Sequence, residues 1–145
     1  LAKCLKDRRI TVLTNALNVA SDLIECRRIT LHFCGGLLRP GPVAAVGSLA
    51  ARFFESFRCD RLFLGLEGVD AEGILTVPDL EEAMVKQSMM RTSREVIVLA
   101  DHSKLGRNTL GVIGALSSTA ALITGEKADP SILSALQQLT KVIVA

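Results

Sequence analysis

At 145 residues the chain is long enough for one domain with a real core, and its 49% hydrophobic residues and mean hydropathy of +0.38 point to a compact α/β interior. Its 17 basic and 15 acidic residues are mixed along the chain, giving a formal net charge of +2, and the 3% of aromatic residues are all Phe. That balance argues against a nucleic-acid surface, which shows a basic stripe or aromatic stacking platforms. The basic clusters Lys6-Asp7-Arg8-Arg9 and Arg27-Arg28 read as solvated edges. No apolar run approaches the roughly 18–20 residues of a membrane span, and the first residues lack the apolar stretch of a signal peptide. Cys4, Cys26, Cys34 and Cys59 lack the short paired spacing of a zinc site. The expectation is therefore a cytoplasmic, reducing setting with no disulfide, metal, cofactor or membrane contact.

In chain order, Leu1 to Leu5 read as the last turns of a helix. Ile10 to Thr14 is a β-branched strand, Ala16 to Ile24 a helix, and Arg28 to Cys34 a second strand that ends in Gly35-Gly36. Cys34 reads as an inert buried thiol. Leu37 to Pro42 is a loop by its Pro and Gly content. A helix over Gly47 to Phe57 follows, with Leu49, Ala50, Phe53, Phe54 and Phe57 on its apolar face. The apolar run Leu62-Phe63-Leu64 has the composition of a strand buried on both faces, and it stops at Gly65-Leu66-Glu67-Gly68-Val69-Asp70. Thr76-Val77-Pro78-Asp79 opens a helix with Leu80, Ala83, Met84 and Met90 inward. The strand Arg94 to Ala100 then breaks into Asp101-His102-Ser103-Lys104. Thr109 to Leu116 is a weaker strand with two glycines. Ala120 to Thr124 and Lys141 to Val144 are short strands around a helix opened by Asp129-Pro130.

Strand and helix alternate through most of this order, so the expected fold is α/β with a mostly parallel sheet flanked by helices. In such sheets ligands sit beyond the carboxyl ends of the strands, and the loops after Leu64 and Ala100 should line one crevice. Neither a G-x-G-x-x-G fingerprint nor a Walker sequence is present. Donors and cations at the strand exits (Asn15, Lys104, the Gly35-Gly36 amides) suit an anionic, hydroxylated ligand. Two glycines at one exit permit close approach of the backbone.

Each candidate also has a plainer reading. Lys104 is either a point charge for a phosphate or a solvated lysine. Asp101 accepts from sugar hydroxyls or closes an Asx-turn, and Asp70 reads first as a turn former. Glu82 and Lys86 stand at i, i+4, the spacing of a helix-surface ion pair, and Glu82 with Asp79 has the spacing of a capping box. Arg39 either clamps a phosphate beside Gly35-Gly36 or is a surface arginine. His32 lies within a strand, and His102 has no nucleophile at a recognisable elbow, so no catalytic residues are assigned.

The ordered set formed by Leu13-Thr14-Asn15-Ala16-Leu17, Cys34-Gly35-Gly36-Leu37-Leu38-Arg39 and Val46-Gly47 resembles the sensor domain of the DeoR family of bacterial transcriptional regulators. The likeness continues through Asp60 to Gly65, Gly68-Val69-Asp70, Gly73, Thr76, Glu82, Lys86, Ala100 to Gly106 and Leu122-Ile123-Thr124. It implies a fold related to ribose-5-phosphate isomerase and a regulator, a repressor by expectation, that senses a phosphorylated sugar. Asn15, Gly35, Gly36, Asp70, Glu82, Lys86 and Lys104 would face that effector. DNA would be bound only through a winged helix-turn-helix domain upstream, and the domain would form homo-oligomers. The resemblance further places the family's Asp-x-Gly-Thr-Thr phosphate loop, and the strand leading to it, before Leu1. Glu67 stands where the family often has Asp or Asn. A sugar-phosphate isomerase-like enzyme, with Glu82 and Asp70 as bases, and an oligomerisation domain with a vestigial pocket are the alternatives.

Overall fold

The computed structural model describes residues 1–41 and 43–145. A 3-10 turn at Ala2–Leu5, in place of the expected α-helical end, leads into β1 (Ile10–Thr14), α1 (Leu17–Leu23) and β2 (Ile29–Phe33). Then come β3 (Leu37–Arg39), β4 (Ala44–Val46), α2 (Gly47–Glu55), β5 (Cys59–Gly65), β6 (Gly68–Val69) and β7 (Ile74–Val77). The chain continues through α3 (Leu80–Thr92), β8 (Ser93–Leu99), β9 (Gly111–Ala115), β10 (Ala121–Thr124), α4 (Pro130–Gln137) and β11 (Val142–Val144).

The β-branched and leucine-rich runs form two parallel pieces of sheet. One is the pair β1–β2, in register Ile10↔Ile29 to Thr14↔Phe33. The other is four strands in the order β11-β10-β8-β5, all parallel. Among the described residues β1 hydrogen-bonds along its β2 edge and β5 along its β8 edge, so each leaves one edge open. The two pieces are joined through helices. Ala50, Ala51 and Phe54 of α2 pack on Val85 and Met89 of α3, with Cys34 and Ala45 in the same cluster. Leu13 of β1 and Leu62 of β5 both lean against that cluster. A second core, including Leu64, Val98, Leu122, Leu75, Leu116 and Leu136, fills the space around the four-stranded sheet.

Helix boundaries follow local chemistry. Asp79 caps α3 by accepting from the Glu82 N–H at 2.8 Å, and Asp129 caps α4 by accepting from the Ser131 N–H at 2.8 Å, with Pro130 at the first helical position. α2 has no side-chain cap and starts at Gly47, whose φ of +86° a side chain would strain.

Several expectations are corrected. Leu37–Arg39 is a strand rather than a loop, because its residues pair antiparallel with Ala44–Val46 of β4; Pro42 of the expected loop lies outside the described residues. Thr76 and Val77 end a strand rather than opening a helix, and the weak strand near 109–116 does not extend the main sheet. Instead β6, β7 and β9 form their own antiparallel sheet, with an irregularity at Leu75/Thr76. Leu49 (68% exposed) and Leu80 (61%) face outward, as does Met84. The reason is that α2 and α3 spend their buried faces on one another through other residues, Ala50, Ala51 and Phe54 against Val85 and Met89. Phe63 is exposed rather than buried on both faces because neither core cluster packs on its face of β5.

The α2–α3 joint should dominate stability. Phe54→Ala is expected to lower the unfolding free energy by about 3–5 kcal/mol, whereas Leu49→Ala on the exposed side should change it by no more than about 0.5 kcal/mol. Urea denaturation of both variants measures the contrast.

Candidate functional site

The exits of the parallel strands lie at one end of the molecule, as a chain of contacts demonstrates. At the exit of β1, the Asn15 side-chain amide donates to the Ala45 carbonyl at 3.0 Å, and the Ala45 N–H donates back to the Asn15 carbonyl at 2.8 Å. β4 then runs directly into α2, whose first residue, Gly47, lies beside Glu81 in the first turn of α3. One turn further, Lys86 donates to the carbonyl of Gly65 at the exit of β5 with a 2.6 Å bond. Arg39 of β3 pairs with Asp79, the cap of α3. Asn15, Gly35-Gly36, Arg39, Gly65, Glu82 and Lys86 are therefore parts of one rim.

The loops after β5 and β8 meet, as expected. Lys104 pairs with Glu67 at 2.5 Å, Val69 bridges to Leu105, and the Gly106 N–H donates to the Val69 carbonyl at 2.7 Å. Thr76, read from sequence as part of a helix opening, ties this region together. Its buried hydroxyl donates to the Gly68 carbonyl at 3.3 Å and accepts from the Thr109 N–H at 3.0 Å. The spacing of Thr76 alone gave no signal of that role; its place in the ordered resemblance series was the one pointer. At Gly68 a side chain has no room: an added Cβ would lie 2.6 Å from the Thr76 hydroxyl and 2.7 Å from the Arg107 carbonyl.

Site residues differ in how far they are already engaged. Gly35 and Gly65 face open space, with no atom within 4 Å of where a Cβ would stand. Gly36, at φ +136°, is a packing glycine instead, its Cβ position 3.0 Å from the Val46 carbonyl. Asp70 closes the β6–β7 turn by accepting from the Ile74 N–H at 2.7 Å, and its other oxygen accepts from Asn108 at 3.4 Å. Asp101 accepts from the Ser103 N–H at 2.8 Å, the geometry of an Asx-turn. Hydrogen bonds from Ser103, side chain and backbone, hold its carboxyl below the usual range, with Lys104 and His102 adding to the effect. The plainer reading therefore accounts for every contact Asp101 makes. Glu82 forms half of a capping arrangement: its N–H is capped by Asp79, but its carboxylate turns to Lys86 at 2.9 Å. The Asp79 carboxyl is likewise lowered, first by the backbone hydrogen bond from Glu82 and then by Arg39. Cys34 is fully buried and burial pushes its thiol up to about 11, which makes it the inert thiol expected. His32 rests on the Phe57 ring, with centroids 5.4 Å apart.

The rim thus presents three cations, Arg39, Lys86 and Lys104, each already held by a carboxylate, around open space above Gly35 and Gly65. An incoming anion would compete with those carboxylates. Two other depressions lie away from the rim. One of about 730 Å³ is lined by Arg9, Thr11, Arg27, Arg28 and Thr30, and one of about 450 Å³ sits between Gln87, Met90, Val112 and Ser118. No cluster of metal-ligating side chains occurs among the described residues, and no helix there is long and apolar enough to cross a membrane.

Gly68→Ala should separate the two loops. The expected loss is about 1–3 kcal/mol of stability from overpacking, read by urea denaturation, with faster hydrogen exchange at the amides of Gly106 and Thr109.

Comparison with known proteins agrees with this architecture. Residues 1–126 match the family described as the DeoR C terminal sensor domain. Over 132 residues the chain is 32% identical to the glycerol-3-phosphate regulon repressor of Escherichia coli strain K12, covering 91% of this chain and 52% of that protein. It is 34% identical over 123 residues to the HTH-type transcriptional repressor GlcR of Bacillus subtilis strain 168, covering 85% and 47%. The HTH-type transcriptional regulator GlpR of Haloferax volcanii is 36% identical over 124 residues, covering 86% and 48%. The chain spans about half the length of these curated relatives. It belongs to the family of DeoR C terminal sensor domains.

Proposed function

We propose that this domain is the effector sensor of a DeoR-type transcriptional repressor and that its effector is a phosphorylated sugar or a related phosphorylated metabolite. The observation that carries this reading is the Lys104–Glu67 pair at the lip of the open rim. It is the cation an arriving phosphate would take over with least disruption, since Lys86 is anchored to both Glu82 and the Gly65 carbonyl. The printed name of one relative, a glycerol-3-phosphate regulon repressor, supports a phosphorylated ligand class. The relatives quoted carry the names of regulators and repressors, which favours a sensor over an isomerase.

The open edges of β1 and β5 belong to the same proposal. Both strands lean on the α2–α3 cluster through Leu13 and Leu62, and an open strand edge is a liability that proteins cover. One further parallel strand from upstream in the full protein would pair with both edges. Its carboxyl end would then reach the rim, where the Asp-x-Gly-Thr-Thr loop expected from the resemblance would complete the phosphate site. The effector would bind one arrangement of subunits better than another, and that difference in affinity would shift the DNA-binding equilibrium of helix-turn-helix domains attached upstream.

Thermal unfolding of the full-length protein against sugar phosphates and their unphosphorylated parents tests this. A phosphorylated effector at about 100 times its Kd should stabilise by roughly 2.7 kcal/mol, its parent sugar should not, and Lys104→Ala should remove the shift. An unchanged shift in the Lys104→Ala protein would refute the role of Lys104. The absence of any shift across the panel would favour a pure assembly domain.

A further inference from the structure

We propose that the amino-terminal end of the β1–β2 pair is a second, sequence-independent contact surface for duplex DNA, made through the phosphate backbone. In the sequence, Arg8-Arg9 and Arg27-Arg28 are separate clusters, and each alone reads as a solvated edge. The register Ile10↔Ile29 sets the residues preceding the two strands side by side, so the clusters converge. Arg9, Arg27 and Arg28, with the exposed Thr11 and Thr30, line the depression of about 730 Å³.

These guanidinium groups are exposed, and among the described residues none makes an ion pair or a side-chain hydrogen bond. Elsewhere among the described residues Arg39, Arg61, Arg91 and Arg94 each find a carboxylate, while Arg52, Arg58 and Arg107 do not; what sets Arg9, Arg27 and Arg28 apart is that they line one depression together. Asp7 and Glu25 neighbour the clusters in sequence, yet both are exposed and neither pairs with these arginines. Several unneutralised guanidinium groups around an open polar depression suit an array of phosphates, and arginine binds phosphate in forked geometry. The surface lies at the opposite end of the strands from the rim, so it is separate from the effector crevice.

The choice of duplex DNA over a small anion rests on the reading above. A parallel strand inserted between β1 and β5 would begin at this amino-terminal end, so a DNA-binding domain preceding it would be tethered on this side. DNA held by that domain would then pass near Arg9, Arg27 and Arg28.

The test is equilibrium binding of the full-length protein to a random-sequence DNA duplex between roughly 50 and 200 mM salt. The variants are Arg9→Gln/Arg27→Gln/Arg28→Gln and the corresponding triple lysine variant. The glutamine variant should bind more weakly, with the slope of log K against log salt reduced by about one for each arginine that meets a phosphate. The lysine variant should keep most of the slope. Because the three side chains are exposed, unfolding midpoints should match wild type, and a single Arg28→Gln variant gives the same reading at smaller amplitude. An unchanged slope in the glutamine variant overturns the proposal. So does a change in sedimentation without a change in slope, which would mark the surface as a contact between copies. The sugar-phosphate thermal shift, measured on the same preparations, reads the sensor proposal separately and should survive in the glutamine variant.

Discussion

Two pieces of parallel sheet are held in one molecule by the packing of α2 on α3. Ala50 and Ala51 are small enough to let the helices approach, and Phe54, Val85 and Met89 fill the contact. Cys34 and Ala45 bring the β2 and β4 ends into the same cluster. The rim depends on this joint, because Asn15 and Gly35-Gly36 come from one piece while Gly65, Glu67 and Lys104 come from the other. Such a cluster gains a few kcal/mol per large side chain buried and tolerates little change in volume.

The magnitudes of the rim's ion pairs decide which cation is exchangeable. Lys104 and Glu67 have side chains 23% and 47% exposed, so their pair is a surface pair, worth about 0–1 kcal/mol. A hydrogen bond to a charged phosphate contributes more, about 1.5–3 kcal/mol. Glu82 and Lys86, at 12% and 15%, are largely withdrawn from water, and removing one would strand the other. Lys86 also braces the Gly65 carbonyl, so it shapes the exit of β5 whether or not ligand is present. The same chemistry, lysine opposite glutamate, is thus exposed and exchangeable in one place and withdrawn and architectural in the other.

Much of this was legible in the residues because local signals were strong. The runs Ile10-Thr11-Val12 and Val96-Ile97-Val98 announce strands, Asp79 and Asp129-Pro130 announce helix starts, and the two polar loops beyond β5 and β8 do meet. What failed was whatever depends on tertiary partners. Leu80 and Met84 have helical spacing but face solvent, since α3 gives its inward positions to Ala83, Val85 and Met89. The strand near 109–116 was legible, but the antiparallel sheet it joins was not, because β6 is only two residues long and β7 finds β9 far away in the sequence. Candidate site residues were found by type and position. The turn-forming reading of Asp70 and Asp101 was already available from their loops, and both side chains are engaged in turns. The resemblance supplied the order that single motifs lacked, and the family match over residues 1–126 agrees with it.

On the proposed reading an anion enters between the exits of β1, β2, β5 and β8. Amide chemical-shift mapping by NMR during titration of the full-length protein with glycerol 3-phosphate and other sugar phosphates addresses it most directly. For whichever phosphate binds, the largest perturbations are expected at Gly35, Gly36, Gly65, Glu67 and Lys104, with smaller ones running along α2 and α3. Saturable perturbations confined to other surfaces, with those five amides unmoved, would contradict it.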